Sequence, residues 1–134
     1  MTPDKNGHLN LLPDTAAMHG KVKAEGQGNN RNIGFWDNAK DWVSWDKVKI
    51  TRPGRYRVSA QLAALQDGAE FTIDIAGQTL NGKAPNTGAW TKYQTVALGE
   101  VTINEPGTIA VTVRPNAAAW KAINLRFIEL IPEN

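Results

Sequence analysis

Hydrolytic chemistry on a polymer needs two carboxylates, or a nucleophile and its base, held together in a cleft. The 134 residues contain such groups but no motif that unites them. Glu70 and Asp74 occupy outward positions of an alternating stretch and Asp67 stands in a turn, places where acids are ordinarily solvated. The two imidazoles, His8 and His19, both lie near the start of the chain. Neither has a serine or carboxylate at a recognisable motif spacing. There is no His-x-x-x-His spacing for a metal, and the absence of cysteine removes thiol nucleophiles, cysteine–zinc sites and disulfides together. No catalytic residue is assigned, and the chain is read as a non-enzyme.

The other residues with chemistry of their own are the tryptophans. Three of the five fall between residues 36 and 45, in Asn32-Ile33-Gly34-Phe35-Trp36 and Asp41-Trp42-Val43-Ser44-Trp45. Asp37-Asn38-Ala39-Lys40 makes a polar connection between the two runs. Successive strand side chains point to opposite faces, which puts Val43 and Trp45 on one side and Trp42 and Ser44 on the other. The rings cannot all be buried together, and an exposed indole is suited to stacking against a ligand. Trp36, followed by Asp37-Asn38, and Trp90, preceded by Asn86-Thr87-Gly88, stand at loop ends and are the candidates for that role.

Composition narrows the partners. Fifteen basic against thirteen acidic side chains leave a formal charge of +2, too balanced to call for nucleic acid. Lys47, Lys49, Arg52, Arg55 and Arg57 form a locally basic stretch, read as a solvated outer face, with a weakly anionic polysaccharide as the alternative. No apolar run reaches membrane-span length, and the first residues lack the apolar core of a signal peptide. The length suits a single domain over residues 1–134, with 1–7 as a flexible lead-in.

The elements that must position these residues are short strands. His8–Leu12 predicts an edge strand closed by Pro13-Asp14, and Met18–Ala24 a second strand before the polar loop 25–31. Val43, Trp45, Val48 and Ile50 share a core face only if a bulge near Asp46-Lys47 absorbs one residue. Tyr56, Val58, Ala60 and Leu62 alternate with polar residues, as do Phe71, Ile73 and Ile75. With Gln66-Asp67-Gly68 between them, the two runs predict a hairpin. A strand at Thr79-Leu80, separate strands at Tyr93–Leu98 and Val101–Ile103, and another at Ile109–Val113 follow. The last run, Ala122–Ile131, switches parity and is either covered on both faces or bulged. No amphipathic helix is sustained, so the expected fold is an all-β, antiparallel jelly-roll sandwich.

From Asn30 to Leu130 the chain resembles the family 6 and family 35 carbohydrate-binding modules, non-catalytic jelly rolls appended to polysaccharide-degrading enzymes. The matching pieces are Asn32-Ile33-Gly34-Phe35-Trp36 with Asp41-Trp42-Val43, then Pro53-Gly54-Arg55-Tyr56-Arg57-Val58, Thr87-Gly88-Ala89-Trp90 and Asn124-Leu125. Leu12-Pro13-Asp14 with Met18-His19-Gly20 is similar to the start of related modules beside fucosidases and sulfatases. The resemblance implies that Trp36 and Trp90 flank a sugar ring while Asn124 hydrogen-bonds its hydroxyls, with Asn30 and Asn38 as further polar contacts. The physics fits, because the C–H face of a pyranose packs on an indole and an amide can both donate and accept. The resemblance also implies a glycan or polysaccharide partner, an appended catalytic domain and an extracellular or periplasmic location. It implies a structural calcium too, held by N-terminal acids and an Asp after Asn-Leu. Those positions are Leu12 and Arg126 here, so no cofactor or metal is expected. The rival reading is a structural domain packed against a glycosidase or sulfatase, with Trp36 or Trp90 in the interface. Exposed indoles favour binding, and indoles buried under a loop favour scaffolding.

Overall fold

The computed structural model describes residues 3–28 and 31–133, so the expected contact Asn30 lies outside the described residues. Among the described residues, eleven strands run in order: β1 (Leu9–Leu11), β2 (Ala17–His19), β3 (Lys23–Glu25), β4 (Asn32–Gly34), β5 (Trp42–Ile50), β6 (Gly54–Ala63), β7 (Ala69–Ile75), β8 (Gln78–Ala84), β9 (Gln94–Ile103), β10 (Gly107–Pro115) and β11 (Asn124–Pro132). Short 3-10 turns occupy Pro13–Thr15 and Ala117–Ala119. One sheet has the order β3-β4-β11-β6-β9, with β1 also on β11, and the other has the order β2-β5-β10-β7-β8. Every pairing is antiparallel. The inward faces of the two sheets close on a shared core that includes Trp45, Tyr56, Leu62, Ile73, Val111, Leu125 and Ile128. This is the antiparallel jelly-roll sandwich expected from the alternation.

Parity breaks become bulges. Val111 faces Trp45 and Ile109 faces Val48, so β5 carries one extra residue at Asp46-Lys47. Val43, Trp45, Val48 and Ile50 are consequently all buried. On β11, Leu125 faces Leu62 and Phe127 faces Gln61, which leaves Arg126 as the extra residue and returns Ile128 and Leu130 to the core. Of the two alternatives for this strand, the bulge is the one observed.

Three expectations are corrected. The first is the hairpin: β6 and β7 do not pair, since β6 lies between β11 and β9 and β7 between β10 and β8. Leu62, Ala63 and Ala64 are all buried, so alternation ends there and the chain crosses between sheets. Alanine makes this possible because its small side chain can be buried on either side. Second, the run at residues 18–24 is two strands in different sheets, broken at Gly20. That residue has φ +117 and no room for a Cβ beside the Asp41 carboxylate. Third, the two strands expected at 93–103 are one, β9, with a register shift beside Gly99. Residues 4–8 form a closed turn. The Asp4 carboxylate accepts from the Asn6 and His8 amides (2.8 and 3.0 Å), and a Cβ on Gly7 would crowd Arg52 and Pro132.

Candidate functional site

At one end of the sandwich, the 35–41, 85–93 and 116–123 connections meet the ends of β3, β4 and β11. β4 pairs with β3 through Glu25 and Asn32, and with β11 through Ile33 and Leu125. Gly34 ends β4 in a crowded position: a Cβ there would run into the Glu25 carboxylate and come within 3.2 Å of Asn124 Oδ1. The next residue, Phe35, has φ 57, in the left-handed region that non-glycine residues rarely adopt. This residue resets the alternation. Ile33 and Trp36 both turn into the core, and the Phe35 ring is left 53% exposed.

The resulting cleft, about 370 Å3, is bounded by Glu25, Phe35, Asp37, Trp90 and Asn124, with Trp36 and Ile123 at its floor. A neighbouring cleft of about 490 Å3 shares Glu25, Trp90 and Asn124 and adds Asn32, Tyr93 and Arg126. Glu25 Oε1 accepts from Asn32 Nδ2 at 2.9 Å, which fixes the carboxylate. Asn124 Nδ2 donates to the Trp90 carbonyl at 3.2 Å, which ties the last strand to the 85–93 loop. That loop is anchored by Thr87, whose amide donates to the Ala64 carbonyl (2.9 Å) and whose hydroxyl accepts from the Ala64 amide (3.1 Å). Lys23 Nζ lies 4.4 Å from the centre of the Phe35 ring. Burial pushes the Tyr93 phenol above its ordinary range, while the Arg126 guanidinium beside it acts in the opposite direction.

The expected site residues fare differently. Trp90 and Asn124 come together in the cleft, and Trp90 is exposed. Trp36 borders the same space but is fully buried, so the expected exposed stacking ring is not at that position. Its Nε1–H donates to the Asp41 carbonyl (2.8 Å) and its ring tilts against Trp120 at 5.2 Å. The exposed aromatic is its neighbour Phe35, shifted outward by the left-handed backbone. Asn38 is exposed in the 35–41 loop and does not border the cleft. Its side-chain oxygen accepts from the Lys40 amide (2.9 Å), the local turn role typical of asparagine. Glu25 was missed because it stands at the start of a polar, loop-like stretch, and only the β3–β4 pairing brings it to the site.

His19 Nε2 lies 3.0 Å from Ser44 Oγ, but Ser44 is buried and its hydroxyl donates to Asp46 at 2.8 Å. Trp42, between β2 and β10, is layered between His19 (3.6 Å, 5° between planes) and Arg114 (4.0 Å), so neighbours take up its ring. The calcium implied by the resemblance does not suit the residues present. Leu12 and Arg126 do converge on one cleft, but with Asn10, Asp14 and Arg31. An aliphatic side chain and two guanidiniums are the wrong donors for a hard cation that takes oxygen ligands. Among the described residues, no group of three or more His, Cys, Asp or Glu is placed to hold a metal.

A two-sheet jelly roll whose loop end presents aromatic rings, the carboxylates of Glu25 and Asp37 and an amide has the form of a ligand-binding module. The family model for carbohydrate binding module family 6 matches residues 15–130, and the chain belongs to that family. The family is one of non-catalytic binding modules, which supports sugar binding as its general role. Similar solved structures include the C-terminal family 6 module of a marine laminarinase from Zobellia galactanivorans (TM-score 0.76, 23% identity, 92% of this chain and 98% of that one). Another is a family 6 module of Cellvibrio mixtus lichenase 5A, in complex with cellotriose (TM-score 0.75, 23% identity, 94% and 98% covered). A third is a β-1,3-glucan-binding family 6 module from Bacillus halodurans (TM-score 0.71, 28% identity, 92% and 96% covered). A search of curated proteins found no match.

Proposed function

We propose that the cleft between Phe35 and Trp90 binds a β-glucan, with the rings packing on the sugar and Glu25 and Asn124 hydrogen-bonding its hydroxyls. The observation that carries this reading is the convergence of two exposed rings with a fixed carboxylate and amide at one loop end. The C–H face of a pyranose supplies apolar surface to an aromatic ring. The carboxylate accepts from adjacent hydroxyls as a charged acceptor, and Asn124 both donates and accepts. Lys23 takes up one side of the Phe35 ring, leaving the other for sugar. The similar modules of laminarinase, of lichenase and from Bacillus halodurans favour the glucan class. In this reading the module holds an appended glycan-degrading enzyme on its polysaccharide outside the cytoplasm.

A shallow site of this kind binds with Kd on the order of 10 μM to 1 mM. Calorimetric titration with β-1,3- and β-1,4-linked gluco-oligosaccharides tests it. Glu25→Gln is expected to weaken binding about tenfold or more, the scale of one lost charge-assisted hydrogen bond. Trp90→Ala is expected to abolish it. Unchanged affinity in both variants would move the sugar elsewhere. If the wild-type chain binds no glycan and Trp90→Ala also unfolds it, the scaffold reading holds.

A further inference from the structure

Two short strands share one edge of β11 end to end. β1 pairs Leu9–Leu11 with Leu130–Ile128, and β4 meets the same edge at Leu125. Between them, at Arg126 and Phe127, β11 is bulged. A cleft of about 280 Å3 opens at this gap, and its polar lining includes Asn10, Asp14, Arg31 and Arg126. Arg31 Nη1 donates to Asp14 Oδ1 at 2.7 Å, and Arg126 Nη1 donates to Gln61 Oε1 at 3.2 Å while its Cζ lies 3.8 Å from the centre of the Tyr93 ring. The Nε atoms of both arginines are buried without a hydrogen-bond partner. Two guanidiniums against one carboxylate leave a positive charge in excess along this lining. A desolvated charged donor without an acceptor is unfavourable, so a small turn of either side chain toward the cleft would let an acceptor from outside the chain relieve it.

We propose that this cleft binds a small oxyanion, a carboxylate or sulfate group, received by the guanidiniums of Arg31 and Arg126 as they turn their Nε–H edges toward it. Guanidinium forks suit planar and tetrahedral oxyanions. The resemblance to related modules places a calcium ion here, at Leu12 and Arg126; with leucine and arginine at those positions the charge preference of the site is inverted. The anion has two possible sources. One is a free ion, and the other is an acidic substituent on a bound glycan, since Arg126 also borders the cleft that contains Trp90 and Asn124. The anion site does not depend on the β-glucan reading, because Arg31 lies outside the sugar cleft.

Titration of the whole chain at constant ionic strength, followed by NMR of the arginine Nε–H resonances, tests the proposal. The probes are sodium sulfate, a glucuronate-containing oligosaccharide, a neutral gluco-oligosaccharide and calcium chloride. Sulfate is expected to shift both resonances saturably, with Kd on the order of millimolar. Arg31→Gln and Arg126→Lys are each expected to weaken this about tenfold or more, and Arg31→Gln is expected to leave neutral-sugar affinity unchanged. A saturable response to the glucuronate probe alone would support the same site with the glycan as source. A linear, non-saturating response that persists in both variants would overturn the proposal, as would saturable binding of calcium at these residues.

Discussion

Trp36 and Trp90 border the same cleft from two loops, yet one is sealed and the other is 39% exposed. The difference lies in what holds each residue. Trp36 is held by its side chain: its Nε1–H is bonded to the Asp41 carbonyl, its ring rests on Trp120, and Trp120 Nε1 in turn donates to the Trp36 carbonyl at 2.9 Å. Trp90 is held through its backbone, by the bond from Asn124 Nδ2 to its carbonyl and by the Thr87 anchor three residues earlier. A ring whose polar atom and faces are satisfied inside the protein contributes to stability. Fixing the backbone instead leaves the ring available to a ligand while sparing it the entropy of being ordered on binding.

The largest expected difference is in stability. Trp36→Ala should cost about 3–5 kcal/mol, as core tryptophan truncations do, whereas Trp90→Ala should cost less than about 1 kcal/mol. Urea unfolding of both variants measures this, and equal losses would end the distinction. A smaller effect is expected one step removed from Trp36. Gly20→Ala sets a Cβ against the Asp41 carboxylate, which accepts from the Lys21 amide at 3.0 Å, and does so at φ +117. A loss of about 1–3 kcal/mol is expected. Tryptophan fluorescence should report the accompanying change near Trp36, and a silent substitution would mean that the loop from 37 to 41 yields freely. The smallest effect sharpens the contrast at the neighbouring residue. Phe35→Asn puts a side chain that tolerates the left-handed region at φ 57. Its stability should change by less than about 1 kcal/mol in either direction while glucan affinity falls. Thermal melting together with calorimetry checks this, and a large destabilisation would make Phe35 a structural residue.

Much of this molecule follows from local pattern. Alternation placed the Tyr56–Leu62, Phe71–Ile75 and Ile109–Val113 strands, and the parity change from Trp45 to Val48 located the β5 bulge, because a two-residue period has only one way to lose register. Which strands are neighbours is not a local property. Ala63 and Ala64 take burial on either side, so the alternation before them gave no sign that β6 and β7 would part into different sheets. The site divides in the same way. Trp90 and Asn124 were legible as residues of the right type at loop and strand ends. Phe35 was hidden because a single left-handed φ exchanged its place with that of Trp36. Glu25 was hidden because its partner Asn32 becomes a neighbour only when β3 folds onto β4. Side-chain type and period are written residue by residue, but which face a loop residue presents depends on one backbone angle and on hydrogen bonds to carbonyls that only the folded chain brings near.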